Sequence, residues 1–176
     1  MNLNIRIATK QDLENIGQLY DRVTTALEQG TNFPGWKKGV YPCAKTAKIA
    51  LQKNSLYCTL FENKVVGSFV LSQAVESAYE QVNWSFPSDY SKIMVVHTFV
   101  VDPAFSGKSI GKQQLSFIIN HATSLGLHSI RLDTYEKNLP AIRLYESCGF
   151  QFVGKIDLGR ANQGLHWYNG YEKTLV

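Results

Sequence analysis

Residues 99–112 read FVVDPAFSGKSIGK. The apolar, β-branched run that enters this stretch breaks at Asp102-Pro103, and a glycine-bearing turn then opens a helical pattern. The first turn of a helix leaves amide groups without intrahelical partners and stands at the positive end of the helix dipole. Backbone amides from Gly107 to Lys112 therefore form a place suited to phosphate. Gly107 and Gly111 carry no Cβ, which lets an anion approach the backbone, while Lys108 and Lys112 add positive charge. Spacing excludes two nucleotide motifs. A P-loop needs glycine five residues before its Gly-Lys-Ser, where this chain has Asp102, and no GxGxxG is present. Taken alone, the stretch is equally well read as a turn that feeds a helix and holds nothing.

A second motif decides between these readings. From Asn138 the chain runs NLPAIRLYESCGF. Val101 to Gly111 resembles the acetyl-CoA signature of the GNAT N-acetyltransferase superfamily: Val-x-Pro, then Arg or Gln, two residues, Gly, one residue, and Gly or Ala. Ser106 stands where Arg or Gln is usual and Ser109 where the first glycine is usual, whereas Gly107, Ile110 and Gly111 keep the common form. The segment from Asn138 resembles the other hallmark of that superfamily, Asn-x-x-Ala-x-x-x-Tyr-x-x-x-Gly-Phe, at every position. Together the resemblances cover about residues 94–156 and retain the family's separation between motifs.

The resemblance implies a fold and a chemistry. The fold is α/β (α+β): a central mixed, mostly antiparallel sheet with a parallel pair at the cofactor site and helices on both faces, formed by residues 1–176 as a single domain. The chemistry is direct movement of an acetyl group from acetyl-CoA, used as a co-substrate without a metal, to a primary amine. By resemblance, the backbone of Phe99, Val100 and Val101 grips the pantetheine arm like an added strand. Ser106, Gly107, Lys108, Ser109, Ile110, Gly111 and Lys112 hold the pyrophosphate. Asn138 caps its helix and contacts the same arm, and Tyr145 places its hydroxyl near the cofactor sulfur as the acid. A phenol titrating near ~10 protonates a thiolate of conjugate-acid pKa near ~8.5 only modestly uphill. Helical spacing by itself equally allows Tyr145 to be a core residue. His97, two and four residues before Phe99 and Val101, stands where relatives carry a proton-relaying glutamate. It is a candidate base or a structural histidine, with Glu76 and Glu80 as alternatives. A non-catalytic acyl-CoA-binding regulatory module of the same fold is the alternative function.

Composition sets outer bounds. A chain of 176 residues with 44% hydrophobic content can bury one sizeable core. No run is long enough to span a membrane, and MNLNIRIATKQ lacks the apolar core of a signal peptide, so a cytoplasmic protein without membrane partners is expected. The net charge of +4 is scattered, with no recognition helix or stacking platform, which favours a polyanionic ligand over nucleic acid. Cys43, Cys58 and Cys148 suggest neither disulfides nor a zinc site.

Outside the motifs, Ile5 and Ile7 alternate in a short strand, and Thr9 with Asp12 signals a helix start. Leu13, Ile16, Tyr20, Val23 and Leu27 form one stripe that ends at Gly30, and a second helix is expected from about Ala44 to Lys53. Between them, residues 31–42 carry Phe33, Trp36 and Tyr41 as a lid or as core packing. Residues 56–62 and 64–74 read as a hairpin, and residues 75–91 as a long aromatic connection. The central strand is Ile93 to Val101, and its helix shows a stripe of Gly111, Leu115, Ile118, Ala122 and Leu125. A strand from Ser129 to Thr134 and closing strands at 152–157 and 166–175 complete the pattern. The acceptor is open among polyamine, amino acid, aminoglycoside and peptide end, with Glu76, Glu80 and Asp89 able to attract a cation. Pairing through the closing strands, as in relatives, would make a homodimer.

Overall fold

The structure, a computed structural model, describes residues 2–87 and 89–176. In chain order the elements are β1 (Asn4–Ile7), α1 (Leu13–Gln29), α2 (Ala44–Gln52), β2 (Leu56–Phe61), β3 (Lys64–Ser72), β4 (Ile93–Val101), α3 (Ile110–Ser124), β5 (Ser129–Tyr135), α4 (Leu139–Ser147), β6 (Gln151–Ile156) and β7 (Tyr168–Thr174). The sheet has the strand order β1-β2-β3-β4-β5-β7-β6 and is mostly antiparallel, with β4 and β5 parallel. A parallel pair needs a crossover, and α3 supplies it. The expected mixed sheet with one parallel pair is thus present. Among the described residues, no helix is long and apolar enough to cross a membrane.

The chain forms two compact units. The first comprises residues 1–32, 36–71 and 97–117. Its core joins Ile16, Leu19, Tyr20 and Val23 of α1 to Ala47 and Ala50 of α2, Leu56 and Cys58 of β2, Val65 and Val70 of β3, and Val100 of β4. The three- and four-residue steps along α1 put that set on one face, with Leu13 and Leu27 at its margins. The opening strand and the Thr9 cap lie where the sequence places them. Ile7, the last residue of this four-residue edge strand, is 45% exposed. Thr9 opens a 3₁₀ turn, Lys10–Asp12, before α1 begins. In it the Thr9 amide and hydroxyl both donate to Asp12 Oδ2, at 2.7 and 2.8 Å, and Arg6 forks onto the same carboxylate at 2.8 and 2.9 Å. The β2–β3 turn places Glu62 and Asn63 at φ 49° and 63°, the two left-handed residues that let a two-residue hairpin follow the strand twist.

The second unit comprises residues 33–35, 72–96 and 118–176. Tyr79, Ile93, Val95, Tyr135, Ile156, Leu165 and Tyr168 form its core. The parallel ladder runs from Ile93↔Ser129 to Val96↔Leu132, and β7 pairs with both β5 and β6. The long connection after β3 is built onto this core. Arg131, fully buried on β5, pairs with Glu172 of β7 at 3.2 Å and donates from Nη2 to the Phe86 carbonyl at 2.8 Å. Glu172 Oε2 accepts the Ser85 amide at 2.7 Å, and the Trp84 indole donates to the Tyr79 carbonyl at 2.7 Å. Of this connection, Ser88 lies outside the described residues. Along α3 the buried set is Ile110, Gln114, Leu115, Ile118 and Ala122. Leu125, expected on the stripe, lies one residue past the helix end, just before the turn at Gly126 (φ 67°), and is 52% exposed.

Candidate active site

In the first unit, the end of β4, the turn that follows it and the start of α3 carry all the expected site residues but Asn138 and Tyr145. Asp102, 1% exposed, fixes the turn between them. Its Oδ1 accepts the Ala104 amide at 3.0 Å, its amide donates to the Val66 carbonyl at 2.8 Å, and its Oδ2 receives Arg22 Nε and Nη2 at 3.0 and 2.9 Å. Arg22 also reaches the Val65 carbonyl at 3.3 Å, so α1 ties the turn to β3. No short-range pattern links residues 22 and 102, and sequence reasoning missed both.

After the Pro103–Phe105 turn the chain passes through two left-handed residues, Gly107 at φ 75° and Ser109 at φ 60°. A Cβ on Gly107 would meet nothing within 4 Å, so the dihedral, and not crowding, calls for glycine there. The first bond into the helix is from the Gln113 amide to the Ser109 carbonyl at 3.1 Å. The amides of Ile110, Gly111 and Lys112 precede it, in the first turn, where a helix leaves its amides without intrahelical partners. The Lys108 amide does not belong to that set, because it donates to the Phe105 carbonyl at 3.2 Å. Its ammonium instead sits 4.8 Å from the Phe105 ring centroid, and Lys64 sits 5.5 Å from the same ring. The donor set is cationic and amide-rich, which fits a pyrophosphate.

Along β4, His97, Phe99 and Val101 are half-buried, while Thr98 and Val100 are buried. Phe99 stacks on Phe69 at 6.3 Å. Thr98, in mid-strand, has φ 48°, and its hydroxyl is 2.7 Å from that of Tyr41. Gln114 is fully buried and donates from Nε2 to Thr59 Oγ1 at 2.9 Å and, at 3.4 Å, to the Val100 carbonyl. Gly67 leaves it room, since a Cβ there would come 2.4 Å from that Nε2. Sequence reasoning missed Tyr41's partner, Thr98 and Gln114. The one available signal was a glutamine among the apolar positions of α3.

The second unit carries Asn138 and Tyr145. Asn138 holds the N-cap position, its carbonyl accepting the Ile142 amide at 3.0 Å. Its side chain does not cap; Nδ2 donates to Thr134 Oγ1 at 3.0 Å, which ties the start of α4 to β5. Tyr145 is 5% exposed, with Phe150 and Tyr171 rings each 6.1 Å away. The helix end just beyond it is locked: Phe150 donates to the Tyr145 carbonyl and Gly149, at φ 82°, to the Glu146 carbonyl, the paired bonds of a Schellman cap. Of the acidic alternatives, Glu76 is half-buried and Glu80 exposed, and nearby Asp133 of β5 accepts the Tyr79 hydroxyl at 2.8 Å. Burial pushes the Tyr79 phenol well above its ordinary range.

Together these features define an α/β protein in which a strand, a tight turn and a helix start follow one another. Residues 22–150 match the model of the acetyltransferase (GNAT) family, and the chain belongs to that family. It is 42% identical, over 79 residues, to the spermine/spermidine N(1)-acetyltransferase of Bacillus subtilis, a match covering 44% of this chain and 45% of the relative. The chain matches less than half the length of such curated relatives. Its fold is similar to that of a GNAT-family acetyltransferase from Streptococcus agalactiae, with TM-score 0.81 and 18% identity over 98% of this chain and 95% of the other. It is also similar to yncA from Salmonella typhimurium, solved with its cofactor acetyl-CoA, with TM-score 0.66 and 18% identity over 99% and 94% of the two chains.

Proposed function

We propose that this protein moves an acetyl group from acetyl-CoA directly to a primary amine. The observation that carries this reading is the first turn of α3, where three open amides follow two left-handed residues in a chain of the GNAT family. Acetyl-CoA supplies the acyl group as an activated thioester. In this reading, Ile110, Gly111 and Lys112 bind the pyrophosphate through their amides. Gly107 and Ser109 shape the turn, Ser106 flanks it, and Lys108 and Lys112 add charge. The main chain of Phe99, Val100 and Val101 grips the pantetheine arm, and Asn138 contacts that arm. An amide near Val100 faces the thioester oxygen. The Tyr145 hydroxyl gives its proton to the departing sulfur, and His97 takes the amine proton through water. The acceptor class we take first is the aliphatic polyamine, on the strength of the Bacillus relative.

The test of the site is Tyr145→Phe, which keeps the ring packed between Phe150 and Tyr171 and removes one hydroxyl. Loss of a general acid lowers kcat by ~10²- to 10⁴-fold and leaves acetyl-CoA affinity unchanged, since the donor acts in the transition state. Loss of a core hydrogen bond instead lowers stability by about 1 kcal/mol and keeps kcat. Turnover, calorimetric binding and thermal melting on one preparation separate the two. Full turnover in Tyr145→Phe removes that residue from the reaction.

A further inference from the structure

We propose that Tyr41 is a positioning residue for acetyl transfer: its hydrogen bond to Thr98 holds the kink in β4 that aims the main chain from His97 to Val101. The proposal rests on the reading of β4 as the strand that grips the acyl donor.

The starting observation is a conflict within β4. Thr98 sits at φ 48° in the middle of an extended strand, a region that a β-branched residue rarely enters. Such a residue persists where its surroundings over-determine it, because the strain is of the same order as one hydrogen bond. The parallel register with β5 runs through Val96, two residues before the kink, and the peptide groups flanking Thr98 lie beyond that register. Those groups lead directly into Phe99, Val100 and Val101.

The restraint comes from outside the strand. Tyr41 Oη and Thr98 Oγ1 are 2.7 Å apart, and Thr98 is only 8% exposed, so water competes poorly for the bond. The segment that carries Tyr41 is organised before it reaches β4. The Asn32 side chain donates to the Trp36 carbonyl at 2.7 Å and accepts the Trp36 amide at 3.1 Å. The Val40 and Tyr41 amides both donate to the Lys37 carbonyl at 3.0 Å. Trp36 packs on the first unit's core and meets the Tyr41 ring edge-on at 5.8 Å. The ring is therefore placed by its own segment, and its hydroxyl meets that of Thr98. Were Tyr41 only a loop anchor, the loop would gain as much from a relaxed strand partner as from a strained one.

The test uses a glycine, which takes positive φ without strain and so makes the restraint dispensable. Tyr41→Phe is expected to lower kcat about tenfold. Thr98→Val, which cuts the same bond from the other side, is expected to do likewise and reports on the bond if Tyr41→Phe fails to fold. Thr98→Gly is expected to keep kcat within a few-fold, and Tyr41→Phe added to Thr98→Gly to lower it no further. An equal loss from Tyr41→Phe in both backgrounds, or an inactive Thr98→Gly, overturns the proposal, as does a fall in melting temperature with kcat unchanged. A readout free of turnover is the crystal structure of Tyr41→Phe: Thr98 is expected at extended φ, and a retained positive φ overturns the proposal. That structure also separates this failure from a failure of the enzyme reading, which would show as absent turnover in the wild type.

Discussion

At the level of single residues, what matters is where the chain adopts a conformation its side chain resists. Ser109 stands at φ 60° where the family signature has glycine, so the departure visible in the sequence has a physical content that only the dihedral reveals. The left-handed region costs a non-glycine residue about 1 kcal/mol or more. Ser109→Gly is expected to stabilise the protein by about 1 kcal/mol, raising Tm by roughly 2–4 °C in a chain of this size. A lower Tm in a melting experiment would contradict this account of the turn. Asp12 supplies a pH dependence. Hydrogen bonds from Arg6, with those from Thr9, hold its carboxyl at about 2, below the ordinary 3.8. A depressed folded pKa means the stabilisation is complete above about pH 4 and is lost as pH falls from there toward 2. Arg6→Met is expected to flatten that limb of the stability profile, measured by urea unfolding across the range. The two motifs were legible as a family signature because their residue types recur at fixed spacing. Arg22, Asp102, Gln114 and the Tyr41–Thr98 pair were not, because their partners are distant in sequence and leave no periodic trace.

At the level of elements, periodicity was a good guide wherever one face is buried. The stripe of α1, the β2–β3 hairpin and the β4–α3–β5 crossover all lie where the apolar spacing puts them. It is silent where tertiary partners decide the outcome. The long aromatic connection after β3 is present as read, but what holds it is not periodic: Arg131 and Glu172 bind the Phe86 carbonyl and the Ser85 amide. Arg131 was invisible as an anchor because an arginine on a strand reads as solvent-facing, whereas this one is fully buried and also lies 4.6 Å from the Trp84 ring. Removing one partner of a buried pair strands the other charge, at a cost of about 3–5 kcal/mol. Glu172→Gln is therefore expected to destabilise the protein by about 3 kcal/mol and to make the segment around Ser85 cleavable by protease in the native state. A variant with unchanged stability would show that the connection is held by its aromatic contacts alone.

For the whole molecule, the two motifs carried most of the inference. They identified the family and the parallel strand pair. The acceptor stayed illegible, since the segments able to enclose it are irregular and their side chains follow no periodic rule. The central claim is that this GNAT-family protein transfers acetyl groups and does not merely bind their carrier. The most direct measurement is the release of free CoA thiol from acetyl-CoA, followed with and without spermidine, spermine and a panel of other primary amines, alongside calorimetric binding of CoA. The account predicts CoA binding together with thiol release that depends on an added amine and saturates with its concentration. Tight CoA binding with no amine-dependent thiol release across the panel would contradict it and leave a protein that holds the acyl carrier without using it.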